Sequence, residues 1–106
     1  MTEKDLKNLR FLRLEILRAD KLLKELKDKG QSSKAYADLL TATKDDLLRK
    51  KAETEALIHG IDDAEIRLIL KLKFVDLRSW NYIARAMHYD RSTVYKKYKK
   101  FLGGKK

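Results

Sequence analysis

Apolar residues recur in steps of three and four along the first part of the chain, at Leu9, Leu12, Ile16, Ala19, Leu23 and Leu26. Polar side chains fill the intervals, so the spacing predicts a helix over roughly 3–29 with an a/d seam about three heptads long. Leu6, Phe11, Leu14, Leu17 and Leu22 widen the stripe, which predicts packing against more than one neighbour. The segment 30–33 reads as a short turn opened by Gly30, with Ser32 or Ser33 placed to cap the next helix. That second helix is expected over 34–58, with Tyr36, Leu39, Leu40, Leu47, Leu48, Ala52, Leu57 and Ile58 as its apolar positions. Its weak point is 41–46, where the pattern lapses and a break is conceivable. Two helices of similar length joined by a short turn predict an antiparallel hairpin.

Beyond Gly60 the grain changes. Asp62 opens Asp-Asp-Ala-Glu, a capping-box spacing with Asp62 as cap and Glu65 reaching back. The helix it starts is expected to run to about Asp76 and to bury Ile66, Ile69, Leu70 and Phe74 or Val75. Ser79 caps a short helix over 80–87, and Asp90 caps a last one over 91–102. The pattern therefore predicts an all-α chain: a hairpin arm over 1–60, a three-helix module over 61–102 and a basic tail over 103–106.

Composition narrows the class. Charged residues make up 40% of the 106, and there is no proline and no cysteine. High charge without proline belongs to long solvent-laced helices, and the lack of cysteine excludes disulfide frameworks, thiolate metal sites and cysteine nucleophiles. Lys or Arg interrupts every apolar run, so a membrane span is not expected and a soluble cytoplasmic protein is. The net charge of +10 is unevenly placed: +3 over residues 1–60, +7 over 61–106, and seven cations with no acid after Asp90. Such asymmetry points to a polyanionic partner for the C-terminal end.

The last two helices fit a helix-turn-helix counted over twenty residues from Trp80. Position five must be small, because the second helix crosses there at close range, and it is Ala84. Ile83, Met87 and Val94 fall at core positions beside it. Position nine, where the turn needs a positive φ, holds His88 in place of glycine, at a cost on the order of 1 kcal/mol. Position eighteen is Lys97 where an apolar residue is usual; Tyr98 takes over the stripe with Val94, Phe101 and Leu102.

With these residues in place the chain resembles a known group. Glu65 to Phe74, Leu77-Arg78-Ser79-Trp80-Asn81-Tyr82-Ile83-Ala84 and Tyr89-Asp90-Arg91-Ser92-Thr93-Val94-Tyr95 are similar to region four of bacterial sigma factors. They are closer still to small phage and prophage transcription regulators that pair a helical hairpin with such a module. The resemblance covers about forty residues and implies a promoter-acting role in a bacterial host cell, such as activation of phage late genes, with RNA polymerase as a candidate partner.

Read from the residues themselves, the last helix would enter the major groove of double-stranded DNA with its first turns nearest the bases. Arg91, Ser92, Tyr95 and Lys96 are the expected base contacts: Arg91 to guanine, Tyr95 against a thymine methyl. Arg78, Ser79, Arg85, Thr93, Lys97, Lys99 and Lys100 are the expected phosphate contacts. Trp80 reads as core in preference to a stacking platform. Lys105 and Lys106 extend a basic tail.

No catalytic role is expected. His59 and His88 lack metal-ligand spacing, no glycine-rich loop follows a strand, and Asp45-Asp46 and Asp62-Asp63 are adjacent pairs whose side chains diverge on a helix. Neither a metal nor a cofactor is implied. Three uses of the same module stay open. It could read a regulatory site; it could serve as the DNA-recognition small subunit of a phage packaging complex, its hairpin building a ring; or it could sit on polymerase without touching DNA. Homo-oligomerisation through the hairpin is compatible with the first two.

Overall fold

The computed structural model describes residues 1–28 and 34–103. The turn expected over 30–33, with its serine caps, and most of the basic tail lie outside the described residues. Five α-helices are present, and no strand occurs among the described residues: α1 (Glu3–Asp28), α2 (Lys34–His59), α3 (Ala64–Leu70), α4 (Trp80–Met87) and α5 (Arg91–Gly103). A π turn over Lys71–Val75 continues α3. The two long helices pack as a hairpin and the shorter ones come after them.

α1 begins in a reciprocal cap. The Asp5 amide donates to Thr2 Oγ1 and the Thr2 amide to the Asp5 carboxylate, at 3.2 and 2.9 Å, which satisfies two backbone donors of the first turn. α2 runs unbroken through 41–46. There the Thr41 hydroxyl donates to the Ala37 carbonyl at 2.9 Å, and Asp46 pairs with Arg49 and Lys50 one turn on. Local pairs thus carry the helix across the stretch where its apolar pattern lapses.

The chain forms two compact units. One joins Met1–Arg10 to the chain from Thr54 onward; the other is Phe11–Glu53. The expected boundary at Gly60 divides the chain by its pattern, whereas compactness groups the first turns of α1 and the last turn of α2 with the short helices.

In the Phe11–Glu53 unit, Ile16, Ala19 and Leu47 are buried and Leu12, Leu23 and Leu26 half-buried, as the heptad seam requires. Lys44 pairs with Asp20 across the hairpin at 2.5 Å. Phe11, Leu14 and Leu17 do not extend that seam; all three are more than half exposed.

In the other unit Leu6, Leu9, Ile58, Ile66, Ile69, Leu70, Phe74, Ile83, Ala84, Val94 and Tyr98 form the core, and no charged residue is buried among those described. α5 packs on α4 and α3, and the π turn packs on α4. Ala84 is 5% exposed where α4 meets α5, which meets the need for a small residue there. Tyr98 is buried and Lys97 only partly so, so the apolar stripe does shift by one residue at that point.

α3 starts one residue later than its pattern suggests. Asp63, not Asp62, is the cap, and its carboxylate accepts from the amides of Glu65 and Ile66. Glu65 does not reach back. Its carboxylate accepts from the Tyr89 hydroxyl and pairs with Lys97 at 3.6 Å, partners distant in sequence that the local motif could not reveal.

Two non-glycine residues among those described have positive φ: Leu77 (φ 57°), shortly after the π turn, and His88 (φ 59°), at the end of α4. After His88 the Tyr89 amide donates to the Ala84 carbonyl at 2.9 Å and the His88 amide to Arg85 at 3.3 Å, the paired bonds of a Schellman termination. A side chain at positive φ carries a steric cost that glycine avoids. His88→Gly is therefore expected to stabilise the protein by about 0.5–1 kcal/mol, read as a higher urea midpoint at unchanged slope. A lower midpoint would show that the His88 side chain contributes more than its backbone costs.

Candidate nucleic-acid interface

Of the residues expected to face a duplex, Arg85 lies on α4, Arg78 and Ser79 precede it, and the others lie along α5 from Arg91 to Lys100. Ser79 caps α4, its hydroxyl accepting from the Tyr82 amide at 3.1 Å. Asp90 precedes α5, and its carbonyl accepts from the Val94 amide at 3.1 Å. Val94 is fully buried, which fixes the roll of α5 and turns its opposite side outward. Arg91, Ser92, Tyr95 and Lys96 are all exposed. No ion pair engages Arg91 or Lys96 among the described residues.

Tyr95 is held without being hidden. Its ring and that of Trp80 stand nearly perpendicular, at 84°, with centroids 5.4 Å apart, yet 42% of the residue remains open. Trp80 itself is half-buried and lies 5.1 Å from the Tyr98 ring, which stands 5.8 Å from Phe74. Such offset and edge contacts add to simple area burial. The tryptophan is therefore a support beneath Tyr95.

The seven expected phosphate contacts are not equivalent. Arg85 and Lys100 are exposed and make no ion pair among the described residues. Arg78 is exposed and lies over the Tyr82 ring at 4.9 Å. Ser79 uses its hydroxyl as a cap, and Thr93 is half-buried. Two lysines already have acids: Lys97 pairs with Glu65 and sits 5.2 Å from the Tyr89 ring, and Lys99 pairs with Glu3 at 3.3 Å. Sequence spacing could not have shown this, because Glu3 lies at the far end of the chain.

Glu3 is a junction. It accepts from the Tyr98 hydroxyl at 2.6 Å and from Lys99. Those hydrogen bonds, Tyr98 first and Lys99 second, hold its carboxyl below the usual carboxylate range. Burial, and then the bond to Glu3, pushes the Tyr98 hydroxyl well above the usual phenol range.

A carboxyl more acidic in the folded chain than in the unfolded one stabilises the fold above its unfolded value. It loses that contribution as pH falls through the folded value. Glu3→Gln is accordingly expected to flatten part of the decline in stability below about pH 5, seen as a melting temperature closer to constant than the parent's. An unchanged acid limb would show that the Glu3 interactions add nothing in solution.

The DUF1492 profile, described as a protein of unknown function, matches residues 18–102. The chain belongs to the DUF1492 family. No curated protein and no solved structure matches it. The DUF1492 match takes in most of the hairpin together with α3, α4 and α5, including every exposed residue of the α5 face. Glu3, which bonds to Tyr98 and Lys99 of α5, falls outside the matched stretch of this DUF1492 protein.

Among the described residues no group of three or more His, Asp or Glu side chains is placed to hold a metal ion. No described helix is long and apolar enough to cross a membrane. A shallow open depression lies between the end of α2 and the π turn, lined by Glu55, His59, Lys71 and Asp76, with Lys71 Nζ 3.0 Å from His59 Nδ1.

Proposed function

We propose that the chain binds double-stranded DNA through α5 and acts as a sequence-specific, phage-type regulator of transcription in a bacterial cytoplasm. One observation carries the reading: the first two turns of α5 present Arg91, Ser92, Tyr95 and Lys96 outward, with Val94 and Tyr98 anchored behind them. A helix presented this way, backed by two others, has the shape and charge that a major groove accepts. Arg91 has a free guanidinium for a guanine edge, and Tyr95 offers a ring for a thymine methyl. Arg78, Arg85 and Lys100 supply cations for the backbone. Lys97 and Lys99 join them by exchanging Glu65 and Glu3 for phosphate. The sigma-region-four resemblance supports a promoter target, with RNA polymerase as second partner.

The packaging-subunit reading draws on a separate observation. Phe11, Leu14, Leu17, Tyr36, Leu39 and Leu48 are exposed in the Phe11–Glu53 unit, more apolar surface than an isolated arm needs. Mass measurement separates the two readings, since a ring of many subunits favours packaging and a monomer or dimer favours regulation.

The direct test is a titration of labelled random and selected duplexes across salt concentrations. If five or more cations displace condensed counterions, log affinity falls against log salt with a slope steeper than about −4. A shallow or flat response removes the proposal.

A further inference from the structure

We infer that Glu65 and Glu3 are internal competitors for DNA phosphate, each occupying a lysine of α5 so that the chain restrains its own affinity for a duplex; the inference deepens the duplex-binding reading and rests on it. Every group involved lies in the unit that joins Met1–Arg10 to the chain from Thr54 on.

One arrangement occurs twice. The Glu65 carboxylate accepts from the Tyr89 hydroxyl and pairs with Lys97 at 3.6 Å, and the Lys97 ammonium lies 5.2 Å from the centre of the Tyr89 ring. Likewise Glu3 accepts from the Tyr98 hydroxyl at 2.6 Å and pairs with Lys99 at 3.3 Å, and Lys99 lies 5.9 Å from the centre of the Tyr98 ring. In each case a tyrosine hydroxyl fixes the acid while the same tyrosine's ring backs the lysine. The acids come from different helices, Glu65 from α3 and Glu3 from α1.

Lys97 and Lys99 are two residues apart, about 200° around a helix. The two pairs therefore stand on different sides of α5, with the exposed Lys96 and Lys100 in the arc between them. A helix seated in a major groove has a phosphate strand on either side, so each carboxylate stands where a phosphate would come. Carboxylate and phosphate make the same kind of charge-assisted bond to an ammonium. The Lys97 and Lys99 side chains are 36% and 48% exposed, open enough for one anion to replace the other. Glu3 has Lys7 at 3.8 Å one turn along α1, so it keeps a cation after releasing Lys99.

Exchange differs from simple capture in its salt dependence. A free lysine that meets phosphate releases a condensed counterion. A lysine taken from a glutamate leaves a carboxylate that gathers a cation in turn, so the net release is smaller. Neutralising the acid restores the full release.

The test titrates a labelled duplex with the full chain and with Glu65→Gln, Glu3→Gln and the double variant, after melting curves confirm that each folds. Each single variant is expected to bind about two- to fivefold more tightly, the range for an exposed ion pair. The slope against salt should steepen by up to about one for each acid removed. The Glu65→Gln gain should shrink when Lys97→Gln is already present, because the acid acts by occupying that lysine. Glu25→Gln removes the same charge from the other compact unit, and an equal gain there would reduce the effect to net charge and overturn the inference. Parent binding with unchanged or weaker binding by the folded variants would overturn it too, and leave the duplex reading standing. Binding by the double variant alone would uphold both. No binding by parent or variants would remove both.

Discussion

Arg91→Ala is expected to weaken binding to a selected duplex by about one to two orders of magnitude, the roughly 1–3 kcal/mol that a bidentate arginine–guanine contact contributes to discrimination. Binding to random duplex should fall less, because there the guanidinium contributes only its charge. The expectation rests on position. Arg91 is the first residue of α5, is exposed, and has no acid partner among the described residues, so nothing in the protein competes for its fork. Preference should relax at a single base pair, visible when fragments selected by parent and variant are compared. Equal losses on selected and random DNA would make Arg91 a backbone contact and remove the base-reading assignment.

Ile83→Ala is expected to destabilise the protein by roughly 2–5 kcal/mol, the range for truncating a buried aliphatic residue where a cavity remains. Ile83 is 0% exposed on the side of α4 that faces the core, and α4 packs on both α5 and the π turn. Domains of this size are held by roughly 5–15 kcal/mol in all, so the loss removes a large share of the margin. The measurement is urea unfolding monitored by far-ultraviolet circular dichroism, with Ile83→Val as a milder member of the series at roughly 0.5–1.5 kcal/mol. If Ile83→Ala unfolds at the parent's midpoint, the packing of α4 against α5 is not what holds the α5 face outward. Binding by this variant should fail only as far as the fold does, which distinguishes it from Arg91→Ala.

Much of the architecture is legible in the order of residues alone. Along the a/d seam Ile16 and Ala19 are buried and Leu12, Leu23 and Leu26 half-buried in the hairpin unit, while Leu9 is buried in the other unit; Ala84 and Val94 are buried as their spacing predicts, and Tyr98 takes the place of Lys97 in the stripe. Local patterns succeed here because burial on a helix is periodic, and the period is written in single residues. The failures share a different cause. The cap of α3 moves from Asp62 to Asp63, since two adjacent aspartates offer the same chemistry and only the path of the chain chooses between them. Glu65 leaves its expected local role because Tyr89 and Lys97 come close only once α3, α4 and α5 are assembled. Phe11, Leu14 and Leu17 look like core by type, yet their places on α1 lie off the seam.

The candidate interface divides in the same way. The exposure of Arg91, Ser92, Tyr95 and Lys96 could be anticipated from the single buried position of Val94 among them. The engagement of Lys99 by Glu3 could not. It depends on the first turns of α1 belonging to the same compact unit as α5, a long-range pairing that leaves no mark on spacing. Gly60 gives a smaller example. It comes after α2 as a helix-ending glycine should, but the two left-handed non-glycine positions of the described chain are Leu77 and His88.

The placement of Trp80 has a practical consequence. It is the chain's single tryptophan, and it touches Tyr95 and Tyr98 and carries Lys73 over its ring. Its emission therefore reports from one spot on both the integrity of the helical assembly and the electric field beside α5. Unlabelled protein excited at the indole band would reveal unfolding as a red shift and the arrival of a polyanion as a change in intensity. The molecule carries its own optical gauge.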